Sequence, residues 1–143
     1  MKDVAQWIAG TWRLVHSVVI NQEGKMEYPY GEDAIGYIYY SGTGIMAVQI
    51  SRKSRSEVKD LADIQHDYLA YFGRYEIDNE QQVVRHFVEG QLFPDDHPEV
   101  LERRYRFEDD LMSLKPVDGT HREILWRRIG NPKKVIRFNR GQG

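Results

Sequence analysis

The fold is decided by the stretch YLAYFGRYEIDNEQQVVRHFVEG, which runs from Tyr68 to Gly90. Its two arms, residues 68–77 and 83–90, are rich in aromatic and β-branched side chains, as β-strands are. The polar residues between the arms, beginning with Asp78-Asn79, are typical of a turn. We therefore predict one long antiparallel hairpin, around which the other strands are arranged.

Length and composition define the class of protein. A chain of 143 residues is expected to form a single domain, here spanning residues 1–143. Apolar residues make up 41% and charged residues 29% of the chain, a balance that is ordinary for a globular protein. The net charge of -2 gives no reason to expect nucleic acid or a membrane surface as a partner.

Cysteine is absent, which excludes disulfides, thiolate nucleophiles and cysteine-based zinc sites. The same absence is typical of a reducing compartment, and we predict a cytoplasmic protein. The apolar stretch near the N-terminus is too short for a signal peptide, and no run is long enough for a membrane-spanning helix.

Six further strands are predicted from residue alternation and turn signals, at 10–20, 35–40, 45–51, 100–108, 111–115 and 120–129. One inserted helix is predicted around residues 56–67 from a capping-box pattern at Ser54–Glu57 and apolar residues at helical spacing. Residues 133–143 are expected to form an edge strand or a frayed tail. Eight antiparallel strands can close into a barrel that is filled or holds one small ligand. The predicted fold class is therefore all-β.

Two local patterns refine this barrel. Simple alternation along the first strand places Trp12, Leu14, His16 and Val18 on one face. The loop containing Tyr28-Pro29-Tyr30-Gly31 is aromatic enough to fold over an opening of the barrel.

Several segments, taken together, resemble one family. They are Gly10-Thr11-Trp12, the hairpin from Tyr68 to Gly90, the pair Arg103-Arg104, the segment Leu111–Pro116 and the closing Leu125-Trp126-Arg127-Arg128. In this order they are similar to the lipocalin-like domain family of bacteria and fungi, over residues 7–129. The resemblance implies a lipocalin-like, calycin-type barrel of eight strands. It also implies that Trp12 packs at the closed end under Arg128 or Arg127, in a cation–π contact worth about 1 kcal/mol.

The interior candidates are polar residues at strand positions expected to face inward. His86 lies between Val84 and Val88 on one strand face and could be an acid/base catalyst, a ligand contact or a buried structural residue. Tyr71 and Tyr75 are its candidate catalytic partners, and Gly73 between them marks either a bend or space for a ligand. The predicted ligand-binding residues are Tyr37, Gln49, Tyr71, Gly73, Tyr75, His86 and Tyr105.

The charged strand residues are expected to form cross-strand pairs on the outer surface. This set contains Arg74, Glu76, Arg85, Glu89, Glu102 and Arg103. In an alternative, Arg85 and Arg104 point inward and hold a ligand carboxylate. One step of strand register separates the two arrangements.

Three functions fit these patterns. The first is binding of a small apolar or amphipathic molecule inside the barrel. The second is a cofactor-independent isomerase, cyclase or dehydratase that uses His86 and a tyrosine for proton transfer. The third is a filled barrel that only mediates protein contacts, in which an edge strand such as 133–138 could pair in a homodimer. No cofactor or metal is expected, since no nucleotide-binding or metal-ligating motif is present.

Overall fold

The computed structural model describes residues 4–55, 60–94 and 96–130. The elements in chain order are α1 (Val4–Ile8), β1 (Gly10–Ile20), β2 (Met26–Glu27), β3 (Ile35–Tyr40), β4 (Ile45–Ser51), α2 (Leu61–Asp67), β5 (Tyr68–Asp78), β6 (Val83–Gln91), β7 (Val100–Glu108), β8 (Leu111–Pro116) and β9 (Arg122–Arg128).

The strands close into a barrel. Strand β1 pairs with β3 on one side and with β9 on the other, and every other long strand pairs with its neighbours in chain order. All pairings are antiparallel, and the two-residue β2 is added at the end of β1. The predicted barrel of eight antiparallel strands is thereby confirmed, with β5 and β6 as the predicted hairpin.

The core fills the barrel with alternate residues of each strand. Strands β3 and β4 show this most simply, because every second residue is buried while the residues between are exposed. The largest fully buried side chains are Trp12, Trp126, Tyr40, Ile8, Ile38 and Met46. Burial of this apolar surface is the main stabilising term of such a fold.

A β-bulge in β1 changes which residues face inward. The register with β9 shifts between Leu14 and His16, so that Ser17 lies opposite the buried Ile124. His16 lies opposite Leu125 and contacts the carboxylate of Glu123 on the outer side. The prediction that one face carries both Leu14 and His16 is therefore wrong, because an extra residue in a strand reverses the alternation beyond it.

One end of the barrel is closed by the predicted contact of Trp12 with Arg128. The guanidinium carbon of Arg128 lies 4.2 Å from the centroid of the Trp12 ring and 4.4 Å from that of Trp7. The same guanidinium donates hydrogen bonds to the carbonyl oxygens of Trp7 and Ala9. Arg127 faces outward, 3.5 Å from Asp110, so Arg128 is the arginine that stacks on Trp12.

The opposite end, which we call the mouth, carries the four longer connections. They join β1 to β3, β4 to β5, β6 to β7 and β8 to β9. Tyr30, in the first of them, is buried and belongs to the core cluster. The loop predicted to fold over an opening therefore does so.

The inserted helix is shorter than predicted in its described part. Asp60 is an extended N-cap that forms a capping box with Asp63, so the described helix starts at Leu61. Leu61 is 70% exposed, so it does not pack against the barrel. The rest of the predicted helix start, residues 56–59, and the predicted tail or edge strand at 133–143 lie outside the described residues.

Candidate functional site

A polar triad of Tyr40, His86 and Tyr71 lies inside the barrel. His86 projects inward from the middle of β6 and is 1% exposed. The Tyr40 hydroxyl lies 2.6 Å from His86 Nε2, and the Tyr71 hydroxyl lies 2.8 Å from His86 Nδ1. Both ring nitrogens of His86 are therefore occupied by protein groups, as a histidine in a binding site or a core would be.

Burial keeps all three groups uncharged. It lowers the pKa of His86 to about 3, with a smaller contribution from the positive charge of Arg103. Burial also raises the pKa of Tyr71 to about 12 and that of Tyr40 well above its usual range. At neutral pH the triad thus consists of a neutral imidazole and two protonated phenols.

The proton positions in the triad follow from the available partners. A neutral imidazole donates from one nitrogen and accepts at the other. Neither hydroxyl has another hydrogen-bond partner among the described residues. Tyr40 is fully buried whereas Tyr71 is 7% exposed, so the Tyr40 proton is best used toward Nε2. His86 Nδ1 then donates to the Tyr71 oxygen. The Tyr71 hydroxyl proton remains free to donate to another group.

Two arginines lie on the inward faces of their strands. Arg103 lies between the buried Leu101 and Tyr105 on the inward face of β7, and Arg122 shares the inward face of β9 with Ile124. Neither forms an ion pair with a described residue. The prediction that Arg103 lies on the outer surface is wrong.

The other charged residues of the predicted outer set lie on the outer surface, as expected. Arg85 contacts Glu102 at 3.0 Å and Asp78 at 3.1 Å, and Arg74 contacts Glu89 at 3.5 Å. The alternative in which Arg85 and Arg104 point inward is wrong, because Arg104 is exposed and Arg85 is held by these carboxylates outside.

One mouth connection packs on Tyr71, and a second is held in place by Arg52. The imidazole of His97 packs on the ring of Tyr71, with centroids 5.1 Å apart. Arg52 fastens the loop that carries Tyr30, since it donates to the Pro29 carbonyl oxygen and to Asp67, each at 2.9 Å. Tyr30, in this loop, belongs to the same core cluster as Tyr71.

The comparison with known families agrees with this architecture. A sequence model described as lipocalin-like domain matches residues 9–129, which is most of the chain. The chain belongs to the lipocalin-like domain family. No curated protein matches the sequence. Family membership supports a ligand-binding fold in general, and it specifies no ligand.

Two predicted ligand-binding residues lie outside this lipocalin-like barrel. Tyr37 is 47% exposed and its hydroxyl contacts Arg13 on the outer surface. Gln49, its cross-strand neighbour on β4, is exposed and accepts a hydrogen bond from Tyr68. Neither can contact a ligand in the interior, because the buried residues of β3 and β4 occupy the alternate positions.

Gly73 is explained by the backbone. A Cβ atom at this position would lie 1.8 Å from the carbonyl oxygen of Phe87. The β5–β6 register shifts next to it, between Phe72 and Gly73. The glycine therefore marks a bulge where two strands approach closely, and the prediction that it leaves space for a ligand is wrong.

The remaining predicted tyrosines point inward and toward the closed end. Tyr75 stacks edge-on against Tyr40 and donates to the Ser41 carbonyl oxygen. It lies opposite His86 in the β5–β6 register, but the hydroxyl groups that bond His86 are those of Tyr40 and Tyr71. Tyr105 is buried, and its hydroxyl lies 3.4 Å from Asn79 in the β5–β6 turn. Tyr75 and Tyr105 therefore belong to the core, while Tyr71 is the predicted tyrosine on which the charges of Arg103 and Arg122 act.

A depression of about 1020 Å³ lies elsewhere, along β7, β8 and β9 and the β5–β6 turn. Its lining mixes charges of both signs, including Arg104, Arg106, Lys115, Glu108 and Glu123. Glu123 is already bound by His16 and Ser113, at 2.9 and 2.8 Å. This outer depression offers an alternative location for a ligand, and experiments must distinguish it from the interior.

The described residues contain no group of three or more side chains suited to a metal ion. Within the same residues, no helix is long and apolar enough to cross a membrane.

Sequence reasoning missed Tyr40, Arg103, Arg122 and Ser17 as interior polar residues. Arg103 could have been found, because it has the same parity as Leu101 and Tyr105 in a strand whose even positions are mostly charged. Ser17 could not, since it turns inward only through the bulge in β1.

Proposed function

We propose that this lipocalin-like domain binds a small amphipathic molecule in the mouth half of its barrel. One observation carries the proposal, namely that hydrogen-bond donors without partners among the described residues face the barrel interior beside its apolar core side chains. Arg122 Nε and Nη2 are buried with no partner among the described residues. If His86 Nδ1 donates to the Tyr71 oxygen, the Tyr71 hydroxyl proton also has no acceptor within the triad. Binding sites characteristically combine an apolar lining with a few polar groups.

Proton-transfer catalysis through His86 has less support. Both of its nitrogens are engaged by tyrosines. A pKa near 3 also lies far from neutral pH, where a general acid or base works best. We therefore assign His86 a positioning role, in which it orients Tyr71. A cytoplasmic location remains part of the proposal on the basis of the cysteine-free composition.

Native mass spectrometry of the protein purified from its own host tests the proposal. We expect a bound small molecule that is released on denaturation and can be identified by extraction. Finding nothing bound, together with a melting temperature unmoved by a panel of apolar and amphipathic ligands, would overturn the proposal in favour of a filled barrel.

A further inference from the structure

The inner surface near the mouth has more hydrogen-bond donors than acceptors. Arg122 Nε and Nη2 and the hydroxyl oxygen of Ser17 are all buried without a partner among the described residues. Ser17 lies opposite Ile124, so it shares the inward face with Arg122 two positions along β9. Buried donors of this kind are unfavourable unless a partner reaches them.

Arg103 adds a second positive charge to the same space. Its charge acts to lower the pKa of Tyr71 and of His97, and the charge of Arg122 acts on the same two groups in the same direction. The charges of both arginines thus act on Tyr71 and on the imidazole that packs on it. Among the described residues, Arg103 donates one long and exposed hydrogen bond, 3.3 Å, to the carbonyl oxygen of Glu102.

The described part of the chain supplies no negative charge that pairs with these arginines. His86 is neutral, and Glu123 faces outward toward His16 and Ser113. Asp118, in the β8–β9 connection, accepts from the backbone and side chain of Thr120 at 3.0 and 2.6 Å. The charge of Arg103 acts on Asp118 but forms no ion pair with it. Two cations on inward faces without an ion-pair partner among the described residues favour an anionic group on a ligand.

We propose that the ligand carries an anionic group, such as a carboxylate or sulfonate, which Arg103 and Arg122 bind with the hydroxyl of Tyr71 as a further donor. This inference rests on the proposed binding function and specifies its ligand class. Guanidinium groups suit planar oxyanions because they can donate two parallel hydrogen bonds. The apolar remainder of the ligand would lie against the core side chains beneath the loop of Tyr30.

The test compares two fluorescent probes that share one scaffold. Anilinonaphthalenesulfonate is anionic, and phenylnaphthylamine is the same fused-ring amine without the sulfonate. Both are titrated into the folded wild-type chain and into Arg103→Met and Arg122→Met, with folding checked by circular dichroism. The control is Arg104→Met, which removes a neighbouring exposed charge that lines the outer depression.

We expect each inner variant to weaken binding of the anionic probe by about tenfold or more, with little change for the neutral probe. Arg104→Met should leave both affinities unchanged. Equal binding of both probes, unaffected by either inner substitution, would overturn the anionic ligand but keep the binding function. A loss confined to Arg104→Met would overturn the interior site. Failure of wild type to bind either probe would count against the binding function itself.

A direct spectroscopic measurement covers the case in which a variant fails to fold. The Nε–H resonance of Arg122 should shift when the anionic probe is added to wild-type protein, and much less with the neutral probe. Equal small shifts from both probes would overturn the proposal.

Discussion

His86 Nδ1 lies 2.8 Å from the hydroxyl oxygen of Tyr71, and this contact links the buried part of the barrel to its mouth. Tyr40 occupies the other ring nitrogen from the closed side. If Tyr40 donates to Nε2, then His86 carries its proton on Nδ1 and holds Tyr71 as an acceptor. In this arrangement His86 and Tyr40 together orient the Tyr71 hydroxyl, which is the group proposed to meet a ligand.

The tautomer of His86 is the first prediction. Nitrogen chemical shifts of the labelled imidazole should show a protonated Nδ1 and an unprotonated Nε2 at neutral pH. Tyr40→Phe should remove the hydroxyl that donates to His86 Nε2. We expect it to lower the free energy of unfolding by about 1–3 kcal/mol, because the buried Nε2 loses its hydrogen-bond partner. The opposite tautomer in wild-type protein would contradict the proton assignment.

The pH dependence of stability is the second prediction. The unfolded chain binds a proton at His86 below its ordinary pKa of 6.5, whereas the folded chain does so only near pH 3. Unfolded chains therefore bind more protons between these values, and the free energy of unfolding must fall as pH falls through this window. His86→Gln should show a shallower fall, measured by urea denaturation from pH 7 to pH 4. Parallel curves for the two proteins would contradict the low pKa.

The closed end gives the third prediction. Arg128→Met removes contacts with two tryptophan rings and two carbonyl oxygens, and we expect a loss of about 2 kcal/mol or more in the free energy of unfolding. Arg127→Met, which removes an exposed charge from the adjacent position, should change stability by less than about 0.5 kcal/mol. Similar losses for the two variants would contradict the assigned stacking.

The bulge at Gly73 gives the fourth prediction. Gly73→Ala places a methyl group against the backbone of Phe87, so the free energy of unfolding should fall by about 2 kcal/mol or more. In the β3–β4 turn, Gly42 has no atom within 4 Å of an added Cβ, and Gly42→Ala is the matched control with little expected effect. A tolerated Gly73→Ala substitution would show that the two strands are farther apart.

The mouth loop gives the fifth prediction. Arg52→Met removes the contacts of Arg52 with the Pro29 carbonyl oxygen and Asp67, and amide hydrogen exchange around Tyr30 should become faster. Lys53→Met, at the exposed neighbouring position, should leave exchange unchanged. Equal exchange in all three proteins would mean that Arg52 does not fasten the loop.

Much of this fold was predictable from the sequence, because strand alternation and turn residues are local signals. The hairpin of β5 and β6 and the stacking of Trp12 and Arg128 are examples. The site was less predictable, since it depends on which face of each strand is inward. The sequence predicts Tyr37 and Gln49 on the inner face, although both lie on the outer face. It also predicts Arg103 outside and, in the alternative, Arg104 inside, whereas the structure has the reverse. A single step of register separates each prediction from the structure.

The residues that close the interior were harder still. Ser17 reaches the inside only because of the bulge beside Val15, and Tyr40 meets His86 from a strand that is not its neighbour. Such contacts arise from barrel closure and strand tilt, which no single segment of the sequence encodes.

The most direct test of ligand binding in the mouth half of the barrel is to locate a bound ligand by NMR. Phenylnaphthylamine or anilinonaphthalenesulfonate is added to isotope-labelled protein, and shift changes are compared at the two candidate locations. If the ligand binds inside the barrel, the largest chemical-shift changes are expected at inward positions near the mouth, namely Tyr71, Val88, Leu101 and Arg122. Chemical-shift changes concentrated instead at Arg104, Lys115 and Leu125 would place the ligand in the outer depression and contradict the interior binding site.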